Sequence, residues 1–207
     1  MVAKRKILLI TAITLAACIC VFTYKDWEYN VVINGIHFKK ISQSKGGTYI
    51  GNMTDNNMIQ GFPCEKGWIH FTKNRQLLSF QLSEDFMYNG TLVPAHTWFH
   101  FPYHANRSGY VFSFPHDYGV QGYVCGGSGG YKGTHTGFYK SGKLRSFFPP
   151  EDVIVCGVPC EASLIANVSL YENGNIKSCK LAEDYKVDNV LYKRGKVIEF
   201  DTDGKVK

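Results

Sequence analysis

A six-residue pattern recurs six times in this chain of 207 residues. It begins with Asp or Asn, has an apolar residue at its fourth position, and ends in Gly in every copy but the last. The copies begin at residues 30, 56, 85, 117, 152 and 184, so successive units are 26 to 35 residues long. A period in this range is typical of repeat proteins, in which each unit buries its apolar face against its neighbours.

Alternating apolar residues flank turn sequences inside the units. In the fifth unit, residues 166–171 alternate, Glu172-Asn173-Gly174 follows, and residues 176–181 alternate again. Asn-Gly between alternating runs is the strongest short signal for a β-hairpin. We therefore expect two strands per unit, about ten to twelve in all. The predicted fold is all-β, with tandem hairpin repeats forming an extended antiparallel sheet, a solenoid or a barrel.

The first and last positions of the pattern predict turns between strands. An Asp side chain hydrogen-bonds readily to the backbone two residues on, and Gly accepts the positive φ of a tight turn. The regular placement of the Asp residues fits turns better than paired catalytic carboxylates. The predicted turn residues are Asp85, Asp117, Asp152, Asp184, Gly61, Gly90, Gly122 and Gly157.

Position within the unit also predicts burial, because residues two apart on a strand share a face. Two positions, five and three residues before the Asp, carry apolar side chains, as does the position eight residues after the start of the unit. The predicted core residues are Phe80, Phe112, Phe147 and Cys179; Leu82, Phe114, Pro149 and Leu181; and Phe38, Cys64, Val93, Cys125, Cys160 and Tyr192.

The N-terminus has the features of a targeting segment. Lys4-Arg5-Lys6 precedes an apolar run that ends in Leu15-Ala16-Ala17-Cys18, which resembles a bacterial lipobox and would make Cys18 the lipidated residue. The 18 uncharged residues 7–24 are also long enough for an uncleaved anchor helix. We expect a signal peptide or membrane anchor over residues 1–24, a linker over 25–29 and one repeat domain over 30–207. Both interpretations export the domain and tether it to a membrane.

The repeats resemble those of uncharacterised exported bacterial proteins and are similar in style to MORN-type hairpin repeats. The phrases that carry the resemblance are Leu-x-x-Asp-x-x-Val-x-Gly and Tyr171-Glu-Asn-Gly-Asn-Ile-Lys-Ser178. The present units are longer than MORN repeats and lack their regular Gly-x-Tyr spacing. The resemblance implies a hairpin scaffold used for binding or display, and it supplies no catalytic residues.

Charge and cysteine content restrict the functional classes further. From residue 18 onward the net charge is only +3, with 20 basic and 17 acidic residues, so the sequence offers no case for nucleic-acid binding. Of the five cysteines in the repeat domain, only Cys156 departs from the core positions, and no CxxC pair is present. Buried thiols, a disulfide permitted by export, and a metal site remain open interpretations.

Histidines supply the one candidate for chemistry. His96, His100, His104 and His116 lie in the least regular unit, and a loop there would be able to gather them around a metal ion. On a strand, however, His96 and His100 lie about 13 Å apart. The predicted function is therefore a non-enzymatic binding or structural module, tethered at the cell envelope, with a protein or envelope component as partner and no cofactor. The alternatives are an envelope metal-binding protein or enzyme that uses these histidines, and an immunity-type inhibitory lipoprotein.

Overall fold

The computed structural model describes residues 27–102, 109–131 and 133–207. The predicted anchor segment, Cys18 and His104 lie outside these ranges. The described residues form strands and turns with no helix, which confirms the all-β expectation. In these ranges there is accordingly no helix with the length and apolarity to cross a membrane.

Twenty-two strands follow one another along the described chain. They are β1 (Glu28–Ile33), β2 (Ile36–Gln43), β3 (Tyr49–Met53), β4 (Asn57–Ile59), β5 (Phe62–Cys64), β6 (Gly67–Phe71), β7 (Leu77–Gln81), β8 (Phe86–Tyr88), β9 (Thr91–Val93), β10 (Trp98–His100), β11 (Tyr110–Ser113), β12 (Tyr118–Val120), β13 (Tyr123–Cys125), β14 (Thr136–Phe138), β15 (Leu144–Phe147), β16 (Val153–Val155), β17 (Val158–Cys160), β18 (Val168–Leu170), β19 (Ile176–Lys180), β20 (Tyr185–Val187), β21 (Val190–Tyr192) and β22 (Val197–Glu199).

Twelve of these strands form one main sheet. Its order is β1-β2-β3-β6-β7-β10-β11-β14-β15-β18-β19-β22, and every neighbouring pair is antiparallel. The strands missing from this order form five two-stranded sheets, which we call the first to fifth short hairpins: β4–β5, β8–β9, β12–β13, β16–β17 and β20–β21. The extended antiparallel sheet is therefore the correct alternative among those predicted.

The second to fifth units contribute four strands each, and the first and sixth contribute three each, so the expected ten to twelve strands were too few. The six-residue pattern is not a simple connection between strands, because it forms the first strand and the turn of a short hairpin. In the first short hairpin the turn residues Gln60 and Gly61 have φ of +51° and +84°. Positive φ at both central positions is the type I′ geometry that matches the twist of the flanking strands. The same two positions are positive at Asn89-Gly90, Gln121-Gly122, Cys156-Gly157 and Asp188-Asn189.

The core lies between the main sheet and the layer of short hairpins. The positions five and three residues before the Asp contribute side chains from the main sheet. Among them, Phe80, Phe112 and Phe147 have no exposed area. The position eight residues after the unit start contributes the facing side chains of the hairpins, among them Cys64, Val93 and Cys125. The predicted core positions are thus confirmed, with Tyr192 only half-buried.

The first unit departs from this plan. Its pattern residues form the end of β1 and the turn Asn34-Gly35, and β1 pairs with β2 around this turn inside the main sheet. In the other units, residues that belong to no strand separate the short hairpin from the next strand of the main sheet. In the first unit, β2 runs without interruption from Ile36 to Gln43. The first unit therefore has no hairpin folded over the sheet.

Candidate functional site

A conserved geometry closes the base of every short hairpin within this chain. The carboxylate of Asp85 accepts a hydrogen bond from the backbone amide of Ala95 at 2.8 Å. The partner is ten residues away, so the expected bond to the backbone two residues on is not the one that forms. The same spacing joins Asn56 to Lys66, Asp117 to Gly127, Asp152 to Ala162 and Asp184 to Arg194, at 2.7–3.0 Å.

Turn side chains fix the other end of the hairpins. Gln121 Nε2 donates to the carbonyl of Gly142 at 2.8 Å, and its Oε1 accepts from the amide of Leu144 at 3.0 Å. Gln60 makes the equivalent pair of bonds with Arg75 and Leu77. In the fourth hairpin this position is Cys156, whose thiol lies 3.7 Å from the carbonyl of Gly174. The first, third and fourth hairpins are consequently held at both base and tip.

The outward positions of these hairpins carry apolar side chains. Met58, Met87 and Ile154 occupy the middle of the first strand in three hairpins and are 65%, 60% and 71% exposed. The partner strands add further exposed or half-buried apolar residues opposite. We call the whole set the apolar ridge: Met58, Met87, Leu92, Val124, Ile154, Pro159 and Leu191. Isolated exposed apolar residues are ordinary, but a repeated row of them is typical of an interaction surface.

Charge is divided between the two layers. The five segments that form and flank the short hairpins, 55–66, 84–95, 116–126, 151–162 and 183–194, contain 11 acidic and 4 basic residues, a net charge of −7. The rest of the described chain contains 13 basic and 5 acidic residues, a net charge of +8. The apolar ridge therefore projects from an acidic layer, although the whole chain is basic.

The histidines singled out in the sequence have separate surroundings. His96 lies in a turn with φ of +64°, and its Nδ1 is 2.8 Å from Oε2 of Glu65. His116 is exposed beside the third short hairpin, and His100 lies on β10. Among the described residues no three His, Cys, Asp or Glu side chains are placed to hold a metal ion.

His100 is instead part of a different cluster on the face of the main sheet opposite the hairpins. The register aligns His70, Ser79 and His100 in one row across β6, β7 and β10. Ser79 Oγ lies 2.8 Å from His100 Nδ1. The Tyr131 ring packs 5.2 Å from the rings of both His70 and His100, and the ring of His135 is 5.2 Å from that of His100.

Burial disfavours the charged forms of His70 and His100 in this cluster. Desolvation, with smaller contributions from the charges of His135 and His70, lowers the pKa of His100 to about 4. Desolvation also lowers the pKa of His70. The cluster was missed in the sequence because His70 and His135 lie outside the His96–His116 spacing. The row would have been recognised only from the pairing of β6 with β7 and of β7 with β10.

A glycine-rich segment, Gly-Gly-Ser-Gly-Gly at residues 126–130, directly precedes Tyr131 and explains how this side chain reaches the cluster. A Cβ atom on Gly127 would lie 2.0 Å from the carbonyl oxygen of His116, so only glycine permits this approach of the two backbones. The amide of Gly127 is also the donor to Asp117. Gly127 therefore packs against the backbone of His116, directly before the third short hairpin.

The five described cysteines are free thiols. Burial raises the pKa of Cys64 and of Cys125 to about 12, so both stay protonated and behave as small core side chains. A hydrogen bond with Cys179, together with burial, raises the pKa of Cys160. Cys156 is the exposed thiol of the set.

Comparisons with protein-family models, curated proteins and solved structures found no match to this chain. The arrangement of the described residues therefore carries the functional argument alone. That arrangement has two layers, with an apolar ridge on an acidic face and the histidine cluster around His100 on the other.

Proposed function

We propose that this chain is an exported binding module, tethered to a bacterial membrane through its N-terminus, and that the apolar ridge is its binding surface. The observation that carries the proposal is the exposure of Met58, Met87 and Ile154 at the same position of the first, second and fourth short hairpins. Tyr118 Oη of the third hairpin donates to the carbonyl of Leu92 in the second at 3.2 Å, and the rings of Phe62 and Phe86 lie 5.3 Å apart between the first and second, so these three hairpins form one surface. Tethering follows from the N-terminal charges, apolar run and Cys18.

The chemistry of the ridge favours a protein partner with both apolar and basic side chains. Glu84 lines the same surface groove as Met58 and Pro63, so carboxylates border the apolar side chains directly. An acidic surface repels the anionic headgroups of a bacterial membrane and attracts Lys and Arg. The apolar side chains would supply contact area, and the carboxylates would speed association and select the partner.

The rigidity of the hairpins supports the same role. Each hairpin is fixed by the Asp bond at its base, and several are fixed by a side-chain bond at the tip. A surface that is ordered before binding loses little conformational entropy when it binds. The non-catalytic interpretation agrees with the structural role of the repeated Asp residues, whose carboxylates accept bonds from backbone amides at the bases of the hairpins.

Site-specific photo-crosslinking of the full chain in intact cells tests the proposal. A photoreactive amino acid would replace Met87 or Ile154 on the ridge, or Val197 as the control, which is 63% exposed on β22. We expect the two ridge positions to label the same protein and Val197 not to label it. Adding Leu92→Ser should reduce labelling from position 154, because both residues belong to one surface.

Two results would reject the assignment. One is labelling of lipid alone from positions 87 and 154, which would make the ridge a membrane-contacting surface. The other is labelling of the same proteins with equal yield from position 197. Equal labelling would mean that abundance in the envelope, and not the ridge, determines the adducts.

A further inference from the structure

A cavity of about 340 Å³ opens at one end of the core. It is lined mainly by Ile33, Ile36, Phe38, Ile41, Ile59 and Phe71. Sites for small molecules occupy about 300–1,000 Å³ and combine an apolar lining with a few polar groups. This cavity has the size and the lining of such a site.

The departure of the first unit from the repeat creates the cavity. In the second unit the ring of Phe62 packs onto the sheet, 5.1 Å from the ring of Phe80 and 5.6 Å from that of Phe99. The first unit has no folded hairpin that delivers an equivalent ring, because β1 and β2 stay in the plane of the main sheet. Phe38 and Ile41, which are 3% and 7% exposed, therefore form the buried side of the cavity.

The polar residues of the lining include one cation. Arg75 lies in the turn between β6 and β7, where Gln60 Nε2 donates to its carbonyl at 2.7 Å. Its guanidinium forms no ion pair with any described residue. Gln60 is fully engaged, because its Oε1 accepts from the amide of Leu77. A single charge is therefore available beside an apolar cavity.

We propose that this cavity binds a linear apolar chain that ends in a carboxylate, a ligand of the fatty-acid class, with the carboxylate paired to Arg75. The apolar chain fills the space that an aromatic ring occupies in the second unit. A guanidinium and a carboxylate form two parallel hydrogen bonds, which fixes the orientation of the chain. This site lies beyond the proposed partner-binding function and shares only Met58 with the ridge.

Photolabelling of the full chain in isolated membranes tests the site. The probe is a diazirine-bearing analogue of dodecanoate, followed by peptide mapping of the adducts. We expect adducts on residues 33–41 and 58–59, competed by dodecanoate and poorly by dodecanol. Arg75→Gln should lower the labelling of these residues about fivefold, as expected for a partly exposed ion pair. Arg75→Lys should retain most of it.

A matched pair of tryptophan variants separates occupancy from general labelling. Met58→Trp places a large side chain at the cavity, whereas Met87→Trp makes the same change at the equivalent exposed position of the next hairpin. We expect Met58→Trp to remove the adducts and Met87→Trp to preserve them. Equal labelling in both variants would overturn the site. Labelling by an alcohol probe that equals the fatty-acid probe, with no effect of Arg75→Gln, would overturn the carboxylate assignment.

Discussion

Oδ1 of Asp85 accepts a hydrogen bond at 2.8 Å from the backbone amide of Ala95, ten residues further along the chain. The two residues lie on either side of the second short hairpin, so the bond closes the hairpin at its base. Four other units repeat the bond, and in the second unit an Asn supplies the oxygen. The repeated Asp or Asn is therefore required as an acceptor, and its charge is secondary.

This relationship predicts different effects for two substitutions of Asp85. Asp85→Ala removes the acceptor and should lower the free energy of unfolding by about 1 kcal/mol. Asp85→Asn keeps a carbonyl oxygen at the same place, as Asn56 does, and should cost less than half of that. Urea unfolding followed by fluorescence measures both values. Equal losses for Ala and Asn would show that the charge, and not the acceptor, is what the hairpin uses.

The sheet side of the core is sensitive to truncation of its aromatic rings. Phe112 has no exposed area, and its ring lies 4.2 Å from that of Phe99 and 4.8 Å from that of Phe138. Phe112→Ala should therefore lower the free energy of unfolding by about 3–5 kcal/mol, as for other buried Phe truncations. Phe112→Leu serves as the conservative control and should cost clearly less. A loss below about 1 kcal/mol would place residue 112 on the surface.

The periodicity of the sequence predicted the all-β class and the buried positions, because spacing along a strand determines which face a side chain occupies. It did not predict that the six-residue pattern is itself a hairpin, since Gln60 and Cys156 are not typical residues for positive φ. The cavity beside Arg75 and the cluster around His100 depend on pairing between distant strands. Short-range patterns do not contain that information.

Adjacent residues of the fourth short hairpin should respond in opposite ways to substitution. Ile154 is 71% exposed on the ridge, whereas Val155 has no exposed area. Ile154→Ser should change the free energy of unfolding by less than about 0.5 kcal/mol, but Val155→Ser should cost several times more. The same Ile154→Ser protein should lose partner labelling. A large stability loss for Ile154→Ser would indicate that the ridge is a structural surface and not a binding one.

Tethering depends on the residue at position 18. If Cys18 is acylated, Cys18→Ala should abolish metabolic labelling with an alkyne fatty acid and change the membrane fractionation of the chain. Cys156→Ala is the control, because it removes an exposed thiol from the folded domain. Unchanged labelling and fractionation in Cys18→Ala would leave the uncleaved anchor helix as the means of attachment.

Acidification should destabilise the protein through His100. Its pKa is lowered from 6.5 to about 4, so the unfolded chain takes up a proton first as the pH falls. The stabilising effect is complete above pH 6.5, declines as the pH falls towards 4, and is absent below that value. Between pH 7 and 5 this residue alone should account for a loss of about 2 kcal/mol.

The variant His100→Gln isolates this contribution. It removes the titrating ring and leaves a side chain that still reaches Ser79, whereas His70, whose pKa is also lowered by burial, continues to titrate in both proteins. Urea unfolding at pH 7 and pH 5 should therefore show a smaller loss in His100→Gln than in the wild type, by about 2 kcal/mol. His116→Gln, at an exposed position, should behave like the wild type. Equal pH dependence in all three proteins would mean that His100 is protonated in the folded state without cost, and that the packing of Tyr131 does not exclude the charge.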